Sequence, residues 1–334
     1  MAVSKDEVTW AYRMILGREP ESDDVVRMQM TSQNLSSLRE GFLRSPEFAR
    51  TMIGSSTICP QAPIMPLDLP RNEIEHVATA SQLAECIAKI KAAWSHLGIA
   101  RPHFSVLTDK RFLPENLDEN LDKFWASGDA ESDQVESMLA RHGFTSLSTK
   151  TCVEYGCGVG RVTVGLACRF GQVHGYDISQ GHLALAEQRA QKVGVSNCRF
   201  HLCSDNILNS LEACDFFYSR IVFQHNPPPI IHQLIRNVLR ALKPDGIAIF
   251  QVPTYRVGYR FSVNEWLATD HALDMQMHCL PQQVIFSIMS NEKCVPLEVR
   301  EDNSTDAPDS FISNMFVVHK TSSTVSNSNM LADL

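Results

Sequence analysis

The chain has 334 residues, 44% of them hydrophobic, which suits one large or two smaller globular domains with a sizeable core. The formal net charge of -8 provides no basic field to attract nucleic acid, so we expect no nucleic-acid partner. No run of about eighteen apolar residues occurs, and the first residues lack the apolar core of a signal peptide. We therefore expect a cytoplasmic protein without a membrane span.

Cysteine and histidine are frequent, but their spacing does not indicate a metal site. None of the ten cysteines forms a C-x-x-C pair, and several lie inside apolar strand or helix patterns. This distribution indicates buried free thiols in a reducing compartment. The twelve histidines show no H-E-x-x-H or Cys/His zinc spacing, so we predict no metal ligands.

Residues 1–50 are predicted to form a small helical module. Apolar residues recur there at helical spacing, at Val8, Tyr12 and Ile15. Gly17 and Pro20 are typical of a helix end. The module is either a docking or dimerising unit, which would make the protein a homo-oligomer, or an inert helical cap.

Residues 51–72 contain four prolines without an apolar period, which predicts an extended linker. Residues 73–97 have apolar side chains at helical spacing and predict one helix that stops at Gly98. A further helix is expected from about Asp129 to His142. Between these helices lies a segment that is aromatic and polar at once. Its Phe104 and Trp125 are candidate walls of an acceptor pocket, or else ordinary core residues.

The most informative stretch is a short apolar strand, Cys152 to Tyr155, followed by alternating glycines at 156, 158 and 160. Glycines there let the backbone turn sharply and approach a ligand, and the helix predicted over 161–170 would point its N-terminal amides at that ligand. The nicotinamide fingerprint G-x-G-x-x-G does not fit, because Arg161 stands where its third glycine falls. Glu154 would repel a pyrophosphate but suits a cationic ligand.

Two further strands supply carboxylates at their ends. The strand Val173 to Asp177 ends in an acid that can accept both hydroxyls of a ribose. The strand Cys198 to Cys203 leads into Asp205 and Asn206, which are well placed for an adenine edge. Together these positions predict a nucleoside-binding edge of the sheet.

This set of motifs resembles the class I S-adenosylmethionine-dependent methyltransferases over roughly residues 145–320. The matching residues are E-x-G-x-G-x-G from Glu154, the acids Asp177 and Asp205, Gln224-His225, and Leu242-Lys243-Pro244-Asp245-Gly246. The resemblance implies an α/β Rossmann-like fold with a seven-stranded, mostly parallel sheet, an N-terminal all-α region, and residues 73–144 as a helical lid. It also implies S-adenosylmethionine as the cofactor, held by Glu154, Gly156, Cys157, Gly158, Gly160, Asp177, Ile178, Asp205, Asn206 and Gln224.

His225 follows the strand predicted over Cys214 to Ser219 and precedes three prolines. A switch in strand order would bring the carboxyl ends of the first and fourth predicted strands together, so Gln224 and His225 are expected near the sulfonium of the cofactor. Imidazole titrates near neutral pH, which makes His225 a candidate general base for a hydroxyl acceptor. The alternative is that it only bonds the backbone and shapes the cofactor pocket.

The loop after the fifth predicted strand, Gly246 to Val252, is the densest cluster of aromatic and guanidinium groups in the chain. Its Tyr255, Arg256, Tyr259 and Arg260 suit an anionic or sugar-like acceptor. For an amine acceptor, Tyr255 or Tyr259 could act in catalysis by a cation–π contact. The alternative is a solvated loop. Two more strands are expected after a helix over 281–291, and residues 321–334 are predicted to be disordered.

The N-terminal module carries a resemblance of its own. Tyr12-Arg13-x-x-Leu16-Gly17-Arg18-Glu19-Pro20, with Phe42-Leu43-x-Ser45-Pro46-Glu47-Phe48 behind it, resembles a small bacterial domain of unknown function. That domain is often fused to glycosyltransferases and methyltransferases of surface-glycan pathways. Its usual central glycine and tryptophan are missing here, where Asp23-Asp24-Val25-Val26 stands.

Three functions follow from these patterns. The first is O- or N-methylation of a small molecule or glycan by an S-adenosylmethionine-dependent methyltransferase. The second keeps the fold and cofactor but uses the aminobutyrate chain as electrophile, releasing methylthioadenosine. The third is a non-catalytic cofactor-binding protein, against which the intact glycines and Asp177 argue.

Overall fold

In the computed structural model, residues 3–43, 45, 47–48, 68–203, 211–269, 275–302 and 304–322 are described. Several predictions lie outside these ranges: Asp205 and Asn206, most of the linker at 51–72, and the tail from residue 323 onward. Internal contacts divide the chain into two compact units, Met1–Ile64 and Met65–Leu334.

The described part of the N-terminal unit includes the short helices α1 (Lys5–Ala11), extended by a π-helical turn over Tyr12–Leu16, α2 (Asp23–Gln29) and α3 (Leu35–Leu43). Ser4 caps α1 in a capping box with Glu7. The rings of Tyr12 and Phe42 meet edge to face at 4.8 Å, and the guanidinium of Arg18 lies 4.9 Å from the Tyr12 ring centre. The motif residues of this unit therefore contribute to its own small core.

The second unit is built on a seven-stranded sheet. Its strands are β2 (Thr151–Tyr155), β3 (Gln172–Asp177), β4 (Cys198–Leu202), β5 (Cys214–Ser219), β6 (Leu242–Arg256), β8 (Cys294–Asp302) and β9 (Phe311–Lys320), after a short β1 (Glu73–Ile74). Their order is β4-β3-β2-β5-β6-β9-β8. The first five strands in this order run parallel, and β9 is antiparallel to both its neighbours. The predicted seven-stranded, mostly parallel α/β sheet is confirmed.

Helices cover both faces of this sheet. They are α4 (Ala80–Ala100), α5 (Pro102–Val106), α6 (Leu121–Arg141), α7 (Thr163–Ala167), α8 (Gln180–Lys192), α9 (Pro228–Ala241), α10 (Val263–Ala268) and α11 (Gln282–Asn291). One apolar cluster joins α4, α9 and α11 to one face, and another joins α6 and α7 to the other face. The central strands are therefore buried on both sides, as expected of parallel strands under helices.

The switch in strand order at β2 positions the functional edge of the sheet. The strand β2 pairs with β3 on one side and with β5 on the other. The helices that follow β2 and β5 start on opposite faces, so a crevice opens at the carboxyl ends of these two strands. The predicted juxtaposition of the first and fourth strands of the motif region is confirmed.

The predicted helix over 73–97 is wrong at both ends. Glu73 and Ile74 form β1, which pairs in parallel with β7 (Arg260–Phe261). The helix α4 starts only at Ala80, because Thr79 caps it in a capping box with Gln82. It also runs through Gly98 rather than stopping there. A Cβ at Gly98 would overlap the side chain of Ser179, so this glycine allows close packing instead of ending the helix.

The predicted helix over 129–142 is the second half of a longer one. The helix α6 covers Leu121–Arg141, so Phe124 and Trp125 belong to the same helix as Glu131. Its Gly128 contacts the backbone at Arg161, where a Cβ would overlap the carbonyl. The helix is therefore pressed against the loop that leaves β2. Among the described residues, no helix is long and apolar enough to cross a bilayer.

Candidate active site

The loop between β2 and α7 forms the floor of a deep cleft. Gly156, Gly158 and Gly160 all have positive φ, at 74°, 53° and 79°. A Cβ at Gly158 would stand 2.6 Å from the side chain of Val106, and one at Gly156 would overlap Val222. Glycine is therefore required here for two reasons, because the conformation is left-handed and because neighbouring side chains occupy the space.

Asp177, at the end of β3, supports this loop from below. Its Oδ2 accepts a hydrogen bond from the Gly158 amide at 2.8 Å, and its Oδ1 accepts one from the Ser179 amide at 2.8 Å. The side chain is buried and lines the cleft, as does its neighbour Ile178. Each carboxylate oxygen can accept a second bond, so Asp177 can hold the loop and still accept from ribose hydroxyls.

Glu154 is the last acid before the glycines and is almost fully buried. The hydroxyl of Thr163 donates to its Oε2 at 2.6 Å. Burial raises the pKa of Glu154 to about 8, with nearby Glu131 and Asp177 adding to the effect. At pH 7 the group is therefore mostly protonated, which differs from the charged carboxylate expected from the sequence.

A buried ionic cluster closes one end of the cleft, and sequence reasoning did not find it. Glu131 on α6 accepts from Arg161 at 2.6 Å, from Arg220 at 3.2 Å and from the Tyr218 hydroxyl at 2.6 Å. Arg161 directly follows the third glycine, and Arg220 directly follows β5. Their positions next to motif residues are the sequence feature that could have indicated the two arginines. Their partner Glu131 lies thirty residues before Arg161, so no local pattern connects it to them.

His225 lies on the opposite wall, in a short 3-10 turn after β5. Its Nδ1 donates to the carbonyl of Gln276 at 3.0 Å, which leaves the lone pair on Nε2. The Gln224 amide lies 3.3 Å from that Nε2. Burial lowers the pKa of His225 to about 4, so the ring is neutral at pH 7.

Gln224, predicted to bind cofactor, lies beneath the cleft rather than on its surface. Its side chain is buried, and Gln251 donates to its Oε1 at 3.0 Å. Its backbone carbonyl accepts from the His278 amide at 2.7 Å. Gln224 therefore orders the wall that carries His225 and does not line the cleft.

The four predicted acceptor residues lie between the last two residues of β6 and the start of β7, and none of them lines the cleft. The Tyr255 hydroxyl donates to the carbonyl of Pro70 at 2.9 Å, and exposed Arg260 pairs with Glu73 at 3.2 Å. Tyr259 bonds His278 at 2.7 Å, and Arg256 lies over the Tyr259 ring. Arg256, Tyr259 and Arg260 line a separate surface cleft behind residues 275–278. The contacts of Tyr255 and Arg260 with residues 70–74 hold this segment away from the cleft. No local sequence pattern predicts these contacts.

The predicted acceptor walls Phe104 and Trp125 are not on the cleft either. Trp125 packs edge to face on Phe124 at 5.0 Å and lies under the guanidinium of Arg189 at 4.3 Å. Phe104 lies half-buried on α5, whereas its neighbours Ser105 and Val106 line the cleft. The segment thus covers the site, but with other residues than those predicted.

The structure brings together most of the remaining predicted residues. The cleft is lined by Glu154, Gly156, Cys157, Gly158, Asp177, Ile178 and His225, together with Ile90, Trp94, Ser105, Val106, Glu131, Arg161, Tyr218, Arg220 and Val222. Buried Cys157 has a pKa well above its usual value because of burial, so it packs as a neutral thiol. A nucleoside with a charged tail fits this lining. The glycines form a floor without side chains, Asp177 supplies a carboxylate at the end of β3, and the ionic cluster around Glu131 lies at one end of the cleft. Among the described residues, no cluster suits a metal ion.

Comparison with known proteins agrees with this geometry. Residues 152–246 match the family model described as a methyltransferase domain. A protein of Geobacillus sp. (strain WCH70), named provisionally as a methyltransferase, is 24% identical over 163 residues. That match covers 48% of this chain and 65% of the Geobacillus protein.

Solved structures with a similar outline include two methyltransferases. Magnesium protoporphyrin IX methyltransferase from Synechocystis PCC 6803 is 16% identical at a TM-score of 0.49, covering 71% of this chain and 97% of that one. Geranyl diphosphate C-methyltransferase from Streptomyces coelicolor A3(2) is 17% identical at a TM-score of 0.46, covering 65% and 88%.

Proposed function

From the class I S-adenosylmethionine-dependent methyltransferase domain that residues 152–246 carry, we propose that the protein methylates an oxygen or nitrogen of a small molecule or glycan. The observation that supports this most strongly is the glycine floor backed by Asp177, since both are needed to seat a nucleoside. The N-terminal resemblance to modules of surface-glycan enzymes supports a glycan as one acceptor class.

S-adenosylmethionine is the cofactor of this domain, and the lining of the cleft has the parts to hold it. Asp177 offers carboxylate oxygens to ribose hydroxyls, while Gly156 and Gly158 let the loop backbone approach the ligand closely. Ile178 offers an apolar surface next to Asp177. When bound, the cofactor supplies a methyl group already activated by a sulfonium.

The protein's own task is to align an acceptor and keep water away from it. Ser105 and Val106 on α5 cover the cleft from one side, and Trp94 on α4 covers it beside His225. The rings of Trp94 and His225 lie 5.2 Å apart at 58°, so they form a partly aromatic wall for a flat or apolar acceptor.

His225 can accept a proton from an acceptor hydroxyl through Nε2, because Nδ1 is fixed on the Gln276 carbonyl. With a pKa of about 4 it stays neutral and available at all pH values above that, although it is a weak base. A weak base such as His225 suits an acceptor with an acidic hydroxyl, or an amine that needs no base.

The decisive experiment identifies the nucleoside released when the purified protein is incubated with S-adenosylmethionine, with and without cell extract. Mass spectrometry should find S-adenosylhomocysteine only when extract is present, and fractionation would then isolate the acceptor. Methylthioadenosine formed without extract would contradict methylation. It would mean that the protein uses the aminobutyrate chain of S-adenosylmethionine as the electrophile. Failure to bind S-adenosylmethionine in calorimetry would contradict both activities.

A further inference from the structure

A fully buried glutamine, Gln251, lies on β6 next to the turn that carries His225. Its Oε1 accepts a hydrogen bond from the Ile221 amide at 3.0 Å. Its Nε2 donates to Oε1 of Gln224 at 3.0 Å and to the Ser313 hydroxyl at 2.7 Å. A buried amide that makes these three bonds is well satisfied, so the Gln251 side chain has little freedom to turn.

Backbone groups at both ends of this chain of hydrogen bonds fix its direction. The Ile221 N–H can only donate, so the oxygen of Gln251 faces Ile221 and its NH2 group faces Gln224. The oxygen of Gln224 accepts that bond, which turns the NH2 group of Gln224 toward His225. At the other end the Gln276 carbonyl can only accept, so Nδ1 of His225 carries the proton.

This direction places an N–H donor on the nitrogen lone pair of the His225 ring. The amide nitrogen of Gln224 lies 3.3 Å from Nε2, the ring nitrogen without a proton. A hydrogen bond to the neutral form of a base favours that form, so it acts in the same direction as the burial that lowers the pKa of His225 to about 4. The groups bonded to or stacked on the ring, Gln224, Gln276 and Trp94, carry no charge. An acceptor hydroxyl can therefore use Nε2 only after the Gln224 amide has moved aside.

The same glutamine holds a strained residue of the cleft. Ile221 lines the cleft and has a positive φ of 59°, which is rare for a β-branched residue. Such a conformation persists where the surrounding structure fixes it, and Gln251 bonds the amide of this residue. Gln251 thus anchors the turn after β5 at two positions, Ile221 and Gln224.

We propose that Gln251 is a positioning residue for the reaction, which acts through Gln224 to keep an N–H donor on Nε2 of His225. The inference rests on the proposed function and deepens it, because it assigns what holds the wall beside the acceptor. With both ring nitrogens hydrogen bonded, His225 forms a neutral wall of the cleft. This arrangement suits an acceptor atom that already has an unshared electron pair, such as the nitrogen of a neutral amine, since the ring does not have to take up a proton before transfer.

The test is 15N NMR of the protein labelled at histidine and recorded without ligand, with the His225 signals assigned from His225→Asn. Wild type should show the proton on Nδ1 and a hydrogen-bonded, unprotonated Nε2 at pH 7. Gln224→Met removes the donor, so the Nε2 signal should move downfield, toward that of a nitrogen without a hydrogen bond. The pKa of the ring should rise by about 0.5–1, as expected for the loss of one hydrogen bond to the neutral form.

Gln251→Met tests the link through Gln224. It should move the Nε2 signal in the same direction as Gln224→Met, and the double variant should move it no further than Gln224→Met alone. Ser313→Ala is the matched control, because it removes the other bond of the same Gln251 amide. It should leave the His225 signals as in wild type.

A proton on Nε2 in wild type would overturn the inference, because the Gln224 amide would then face the ring with its oxygen. So would wild-type His225 signals in Gln251→Met, with thermal melts showing that the variant is folded. If Gln251→Met does not fold, hydrogen exchange of the Gln251 side-chain amide in wild type decides the link. Slow exchange of both amide protons supports it, and fast exchange contradicts it.

These spectra also separate the inference from the proposed function. They need neither cofactor nor acceptor, so they decide the role of Gln251 even in a protein that methylates nothing. The nucleoside released from S-adenosylmethionine decides the methyltransferase proposal, whatever the His225 signals show.

Discussion

The loops that leave β2 and β6 both start at the carboxyl ends of parallel strands, yet only the first faces the cleft. The β2 loop is held by the Asp177 carboxylate and by tight contacts at its glycines. The end of β6, from which the other loop starts, is held by partners on its outer side, where Asn72 bonds the backbone of Arg256 in both directions and Pro70 accepts from Tyr255. A loop at the ligand-binding edge contributes to the site only when its anchors turn it inward.

The largest effect should come from removing the conformational freedom of the β2 loop. Gly156→Ala places a non-glycine residue in the left-handed conformation, and its methyl group overlaps Val222. The substitution should therefore lower the free energy of unfolding by about 3–5 kcal/mol. It should also abolish binding of S-adenosylhomocysteine. Chemical denaturation and calorimetry measure the two quantities.

Gly194→Ala is the matched control for that substitution. Gly194 has the same φ of 74° but no neighbour within 4 Å of a Cβ. Only the backbone strain remains, so the expected loss is about 1–2 kcal/mol, with unchanged cofactor affinity. Equal effects of the two substitutions would mean that the packing of the loop against Val222 is unimportant.

Removing the carboxylate of Asp177 should have the next largest effect. Asp177→Ala leaves the amides of Gly158 and Ser179 without their acceptor, so the free energy of unfolding should fall by about 2–4 kcal/mol. Affinity for S-adenosylhomocysteine should fall as well, by roughly 10- to 100-fold. Asp177→Asn keeps one acceptor oxygen and should lose less of both. A wild-type dissociation constant in Asp177→Ala would contradict the role assigned to this residue.

Burial of Glu154 should make the free energy of unfolding depend on pH, and the direction of this dependence follows from the pKa of Glu154. Its folded-state pKa of about 8 lies above the unfolded value of 4.5, so the folded protein binds more protons between these values. Stability therefore falls as the pH rises from about 4.5 to about 8. Glu154→Gln removes this dependence and should be more stable than wild type by about 1–3 kcal/mol at pH 8. Parallel stability curves of the two proteins across this pH range would show that Glu154 is not perturbed.

The smallest effect is expected in the β6 loop. Arg260 is exposed and forms an ion pair with the equally exposed Glu73. Arg260→Gln should therefore change the affinity for S-adenosylhomocysteine by less than about twofold, within about 0.5 kcal/mol. A tenfold loss in this variant would bring the loop back into the cofactor site and remove the contrast between the two loops.

These contrasts explain how far the sequence could be read. The glycines and Asp177 could be predicted because each satisfies a local requirement, a positive φ or an acid at a strand end, which leaves a mark in the sequence. Glu131, Arg161 and Arg220 form their cluster only through tertiary contacts, so no local pattern marks it. The Tyr and Arg residues at the end of β6 and in the loop behind it illustrate the opposite case. Their composition suggested a site, but contacts of Tyr255 and Arg260 with residues 70–74 direct them away from the cleft.

Whether the nucleoside binds at the β2 loop and not at the β6 loop can be measured by hydrogen–deuterium exchange with and without S-adenosylhomocysteine, because this method reports on both loops in one experiment. We predict slower exchange at residues 154–160 and 176–179 in the presence of the ligand, and unchanged exchange at residues 256–261. Protection at residues 256–261 with none at residues 154–160 would contradict it, and would place the nucleoside in the outer cleft beside Tyr259.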